Sequence, residues 1–343
     1  MSPDELTPYL APCNRSFWVN LFSGLRIIEA TETDVEFRSR SVTLMTFPDF
    51  VESYQWNYRP QHPRRPDWFK EWPGGARMAV ILILLHEWES VPAPARPMPK
   101  AAHYTFDYLA LGAREYGARF GIWRLLDVLD RHNIKATVVT SGLVAELFPD
   151  SVREVTKRKQ ELATHGWDQS MHPPVFKTKE EERNSIVKSI TALERAGQER
   201  VVGYMSQGPR PTPNTLEICT ELGFVWTADY SDSDVPYVID VNGKKIVSVG
   251  YVMPNYTDNT LVPLGLDAGL RQLKDSFDAS YEESLRHPMK FCYACHVHTS
   301  GRPGMSKLLD HFIEYAQQHE GVKFYPCIDI ANFWLEREGS TRS

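Results

Sequence analysis

Between Met78 and Leu85 the chain reads Met-Ala-Val-Ile-Leu-Ile-Leu-Leu, eight residues without a polar side chain. Such a run falls far short of the roughly 20 apolar residues that span a bilayer. Bounded as it is by polar sequence, it reads as a strand buried on both faces, the pattern of a parallel sheet covered by helices. The rest of the chain must then supply those helices, and from about residue 77 onward it does. A Pro-rich loop, Val91 to Lys100, leads into a long amphipathic helix ending near Arg131, with Ile122, Leu125, Leu126 and Leu129 at helical spacing. Lys135–Thr140 returns to a strand pattern, and a helix over Glu180–Ala196 follows, with Gly197 placed as its C-cap.

Further strands are predicted at Val201–Met205, Phe224–Thr227, Lys245–Val249, Phe291–Val297 and Val322–Tyr325. The helices between and after them are Asn214–Leu222, Ala268–Leu285, Ser306–His319 and a last one near Ile328–Glu336. Strands separated by helices imply parallel pairing through right-handed crossovers. About seven such units point to a barrel or a doubly wound sheet, with the site at the C-terminal strand ends in either case. Residues 1–56 lack this rhythm and are read as an N-terminal extension to a domain spanning 57–343.

Charge narrows the function. The 38 Lys and Arg against 44 Asp and Glu leave a net charge of −6, with no basic stripe, so nucleic acid is not an expected partner. Neither a membrane span nor an export leader is evident, and a cytoplasmic protein is expected. The five cysteines are too few and scattered for a disulfide framework. Cys292-Tyr-Ala-Cys295-His296 has the spacing of a c-type haem attachment, but it lies within an alternating strand pattern, where Cys acts as a small hydrophobe.

Polar residues cluster just after the predicted strands. His86-Glu87-Trp88-Glu89 follows the first, and Thr164-His165-Gly-Trp167-Asp-Gln169-Ser-Met-His172 is the next candidate stretch. Arg210 sits in a proline-rich loop, Asp229 follows the strand ending at Thr227, and His296 and His298 close the strand before Gly301. Each has a plain structural alternative in an ion pair, a turn or a cap. Carboxylate, imidazole and guanidinium at successive strand ends is nevertheless the arrangement that a barrel hydrolase needs.

The stretches Trp72-Pro-Gly-Gly-Ala-Arg-Met-Ala-Val80, Tyr116-Gly-Ala-Arg-Phe-Gly-Ile-Trp-Arg124, Leu129–Thr137, His165-Gly-Trp, Arg210 with Pro213-Asn214-Thr215, Asp229–Tyr237 and Gly301-Arg-Pro303 occur in a telling order. Together with His62-Pro63-Arg64 they resemble the polysaccharide deacetylase (carbohydrate esterase 4-like) superfamily, in the branch holding metal-independent allantoinases and cyclic imide hydrolases. The resemblance implies an irregular (β/α) barrel, often a homo-oligomer. Sugar deacetylases of the superfamily carry an Asp-Asp pair and a His-x-x-x-His metal pair. Here Glu87 occupies the first place and Gln169 stands four residues after His165, and an amide is a poor Zn²⁺ ligand. The cofactor is therefore either none or one divalent metal, Zn²⁺ first, held by Glu87, His165 and His172.

The expected activity is hydrolysis of a non-peptide carbon–nitrogen bond in a small amide, imide or ureide. Glu87 would activate water, His296 would protonate the leaving nitrogen, and His165 would polarise the carbonyl. Trp88, Trp167, Gln169, Arg210, Asp229 and His298 would bind the substrate. The alternatives are a metal-dependent carbohydrate N-deacetylase and, in another class, a non-catalytic binding barrel.

Overall fold

The computed structural model describes residues 65–90, 108–251 and 257–340. The extension read over residues 1–56, the segment His62–Arg64 and the Pro-rich loop Val91–Lys100 lie outside these. Strand β1 (Met78–His86) is followed by helix α1 (Tyr108–Tyr116), a π turn (Gly117–Gly121) and α2 (Ile122–Arg131). Next come β2 (Thr137–Thr140), α3 (Gly142–Leu147), α4 (Pro149–Lys157), β3 (Glu161–Thr164), α5 (Lys179–Gly197), β4 (Gly203–Tyr204), α6 (Thr215–Leu222) and β5 (Trp226–Thr227). The chain continues through β6 (Tyr237–Val241), β7 (Lys244–Ser248), α7 (Asp258–Leu261), α8 (Leu266–Ser284), β8 (Met289–His296), α9 (Val297–Ser300), α10 (Ser306–Gln317), β9 (Val322–Phe324) and α11 (Cys327–Ser340).

The strands form one sheet in the order β6-β7-β5-β4-β3-β2-β1-β8, and β9 also pairs with β1. Every pairing is parallel except β6 with β7. β1 is the centre of the arrangement: β8 runs along Met78–Leu85, while β9 takes Met78–Val80 and β2 takes Ile83–His86. The result is an α/β half-barrel, as expected for this alternation.

The continuous apolar run is explained by what covers it. Val80, Leu82 and Leu84 pack with Ile122, Leu125, Leu126 and Leu129 of α2. Ala79, Ile81, Ile83 and Leu85 face a second layer with Phe69, Trp72, Trp226 and Trp334, the last from α11. Both faces of β1 are thus dry, and all nine of its residues are buried.

Some local expectations are corrected. Gly197 is still helical and buried, and Gln198 takes the left-handed cap at φ 56°. Strand β6 is not among the predicted strands, although Asn242 and Gly243, at φ 53° and 82°, are the residues that a tight hairpin requires. The helices α3 and α4 and strand β3 also went unread.

Candidate active site

The end of β1 sets the site by period two. His86 turns outward to Ser151 Oγ at 3.0 Å, and Trp88 turns the same way to pack against Phe148. Glu87, between them, faces the other side and is 5% exposed. Its Oε1 lies 3.3 Å from His165 Nε2 and 3.7 Å from His296 Nε2, and its Oε2 lies 3.1 Å from Arg114 Nη1. The three residues expected to do the chemistry, Glu87, His165 and His296, therefore share one locus although they come from β1, β3 and β8.

Each imidazole is aimed by its other nitrogen. His165 Nδ1 lies 2.8 Å from the Met205 carbonyl, which only accepts, so Nδ1 donates there and Nε2 faces Glu87. The following Gly166 has φ +67°, and a Cβ at that position would meet the Gln207 side chain at 2.3 Å. Only glycine gives His165 this exit from β3. His296 Nδ1 donates to Asp258 Oδ1 at 2.6 Å, while Asp258 Oδ2 accepts from His296 N and Ser300 Oγ, both at 2.7 Å. Asp258 is fully buried, and the parallel bridge between Thr257 and Ala294 carries it to β8.

These contacts separate the proton affinities. Burial alone would depress the His296 imidazolium, but Asp258 and Glu87 outweigh it and push its pKa up to about 9. Burial would likewise raise the Glu87 carboxyl. The positive charge of His296, a hydrogen bond from His165 and the charge of Arg114 hold it well below the usual carboxylate range instead. At neutral pH the site thus holds a permanent anion beside a permanent proton donor. Asp229 differs: burial raises it to about 6 although Ser206 donates to its Oδ1 from both N and Oγ, at 2.6 and 2.8 Å.

Residues 95–226 match the family model for polysaccharide deacetylases. A crystal structure of a probable polysaccharide deacetylase from Pseudomonas aeruginosa superposes with a TM-score of 0.69 at 28% identity, covering 80% of this chain and 94% of that one. Residues 95–226 are thus similar to a polysaccharide deacetylase domain. The allantoinase PuuE is similar at a TM-score of 0.68 and 27% identity, over 80% of this chain and 94% of its own. A putative polysaccharide deacetylase from Schizosaccharomyces pombe is 24% identical over 309 residues, 77% of this chain and 92% of that one. The expected enzyme class is met, since deacetylases and allantoinases are hydrolases of carbon–nitrogen bonds other than peptide bonds.

Within the half-barrel the remaining expected site residues fall in three places. His298 lies beside His296, with ring centroids 5.6 Å apart, and against Arg114. His172 and Arg210 stand at the rim, where Gly208 leaves room for both: a Cβ there would be 3.3 Å from His172 Nε2 and 2.6 Å from Arg210 Nη1. Burial and then the neighbouring Arg210 lower the His172 pKa. Gln169 Oε1 and Asp229 Oδ2 are buried acceptors without a hydrogen-bond partner among the described residues. Trp88 and Trp167 correct the expectation of aromatic pocket walls. The Trp88 ring is buried in the helix-facing core, and Trp167 packs against that same core under Lys188 Nζ at 3.7 Å. A residue adjacent to an inward-facing one on an extended chain faces outward.

The ligand set proposed for a metal does not assemble. Among the described residues no three His, Cys, Asp or Glu side chains stand where they would hold a metal ion together. Glu87 is already engaged by Arg114 and two imidazoles, while His172 lies out at the rim with Arg210.

Two residues central to this geometry were missed from sequence. Asp258 follows no motif and reads as a plain helix-capping residue. Arg114 lies one turn before Gly117 and two before Gly121, and the glycines' spacing of four puts both on one helix face, a signal of close packing rather than of chemistry. No helix among the described residues is long and apolar enough to cross a membrane.

Proposed function

We propose that the protein hydrolyses a carbon–nitrogen bond in a small amide, imide or ureide, with Glu87 and His296 as its base and acid. One observation carries this reading: a single carboxylate stands between His165 and His296, and His296 is aimed and kept protonated by buried Asp258. Amide-type bonds resist water because the nitrogen leaves badly unless protonated, so a proton donor on the far side of the nucleophile answers the main difficulty.

Glu87 accepts a proton from water as the water oxygen bonds to the carbonyl carbon. His165 stabilises the oxygen that becomes negative. When the carbon–nitrogen bond breaks, His296 gives its proton to the nitrogen. That transfer removes one positive charge from beside Glu87 and makes the carboxylate a better base while it holds the water proton. Glu87 then returns that proton to His296 across 3.7 Å, and the site is reset. Arg210 at the rim orients a carboxylate or carbonyl of the substrate. The acceptors Gln169 Oε1 and Asp229 Oδ2, without a hydrogen-bond partner among the described residues, suit a substrate rich in N–H donors, as imides and ureides are.

A second reading, a carbohydrate N-deacetylase, is favoured by the match to the deacetylase family model. Purified protein should be incubated with hydantoins, cyclic imides, ureides and N-acetylated sugars. Ring-opened acid or released ureide nitrogen, lost in Glu87→Gln, supports the first reading. Acetate release from sugars alone selects the second. Ligand binding without turnover, equal in wild type and Glu87→Ala, overturns both in favour of a binding barrel.

A further inference from the structure

We propose that Asn259 is a specificity residue of this site, its side-chain amide reading the group that a substrate carries on its leaving nitrogen. The inference rests on the reading of His296 as the donor that protonates this nitrogen. His296 Nδ1 is committed to Asp258, so Nε2 is the atom that gives the proton. Asn259 Nδ2 stands 3.4 Å from Nε2, nearer than Glu87 Oε1 at 3.7 Å. Glu87 is buried and Asn259 is exposed, so of these two neighbours the amide is the one open to an entering molecule.

The placement is built rather than incidental. Asn259 follows Asp258 at the start of α7, and Asp258 accepts from His296 N, His296 Nδ1 and Ser300 Oγ. The bridge between Thr257 and Ala294 ties the preceding residue to β8. Consecutive residues thus serve the two nitrogens of one ring, the buried acid holding Nδ1 and the exposed amide standing at Nε2. An amide suits that position because it offers an acceptor and two donors from one planar group. Its oxygen accepts from Nε2–H in the empty site. Its NH2 group donates to a carbonyl oxygen of a bound substrate, which a carboxylate cannot do.

That donor selects a substrate class. As the carbon–nitrogen bond breaks, negative charge gathers on the nitrogen, and His296 neutralises it there. In an imide or a ureide the nitrogen carries a second carbonyl, and part of the charge spreads to its oxygen. An N–H donor aimed at that oxygen stabilises the transition state. A simple lactam or an N-acetyl sugar carries no such oxygen on its leaving nitrogen, and Asn259 gives it no equivalent support. The amide therefore favours imides and ureides over simple amides.

The test pairs succinimide with pyrrolidinone, rings of the same size that differ by the second carbonyl alone. Binding of each is measured by calorimetry in Glu87→Gln protein, which does not consume its ligand, and again after adding Asn259→Ala or Asn259→Asp. Succinimide should bind about tenfold more weakly in either double variant, the size of one lost hydrogen bond, with pyrrolidinone within about twofold of its starting affinity. Without the Glu87 change, Asn259→Ala should lower kcat/KM on succinimide by a similar factor. Equal weakening for both ligands, unchanged succinimide affinity, or no succinimide binding at all overturns the proposal. Wild type that turns over imides alongside one of these results keeps the proposed activity and loses only the role of Asn259. Wild type that turns over no imide fails the proposed activity, and the binding pair alone then judges Asn259. Circular dichroism checks folding, and Asn259→Asp, which keeps the size of the side chain, decides if Asn259→Ala does not fold.

Discussion

Two acidic residues at opposite ends of the half-barrel make an instructive pair. Glu87 follows the C-terminal end of β1, and Glu161 opens β3. Around Glu87 stand Arg114, His165 and His296, and the carboxyl is held ionised. Around Glu161 stand only neutral donors: Trp226 Nε1 at 2.7 Å, Thr137 Oγ1 at 2.6 Å and the Ile328 amide in the first turn of α11 at 3.1 Å. There burial wins over the hydrogen bonds, and the pKa rises to about 7. An inward-turned carboxylate with cationic partners can do chemistry on a proton. One with neutral partners serves as an anchor, here tying β2, β3 and β5 to the C-terminal helix.

The largest test of this contrast is isosteric. Glu87→Gln removes basicity but little volume and should cut turnover by roughly 10²–10⁴-fold with an unchanged circular dichroism spectrum. Glu161→Gln should leave turnover within a few-fold of wild type. Similar losses in both would erase the distinction between the two ends.

The next test is the alkaline limb. His296 must be protonated to act, so activity should fall as pH rises through about 9. Asp258→Asn removes a charge that raises this pKa, and the limb should move to lower pH by more than one unit. His296→Asn should slow substrates with poor nitrogen leaving groups more than activated ones. A limb that stays in place in Asp258→Asn would remove that residue from the proton inventory.

The smallest effect concerns stability. Glu161 has a folded pKa above its unfolded value of 4.5, so the folded state binds the proton more tightly. Its stabilising contribution is complete below about pH 4.5 and is lost as pH rises through about 7. Wild type should lose about 3 kcal/mol of unfolding free energy across that window relative to Glu161→Gln, measured by urea denaturation at matched pH. Parallel pH profiles for the two proteins would show that the neutral donors, not burial, control this carboxyl.

Much of the architecture was legible because each strand and helix announces its own burial. The run Met78–Leu85 is apolar on both sides, and α2 shows its stripe of Ile122, Leu125, Leu126 and Leu129. The polar residues at the strand ends included Glu87, His165 and His296, which the fold brings together. The errors came where a short-range rule was passed over. Trp88 next to Glu87 had to face the other way, and Asn242-Gly243 marked the hairpin. Between His296 and His298 the chain passes from β8 into α9, so their shared locality follows from a change of structure that residue spacing does not reveal.

What the sequence determined unaided was the alternation of strands and helices, and hence the end of the sheet where chemistry would gather. Periodicity and apolar content are local quantities, and each segment carries its own. Tertiary structure alone decided the partners: Arg114 with Glu87, Glu89 and His298, Asp258 with His296, and three neutral donors with Glu161. Electrostatic character depends on which charges converge across long chain separations, and the spacing of residues along the polypeptide does not encode that distance.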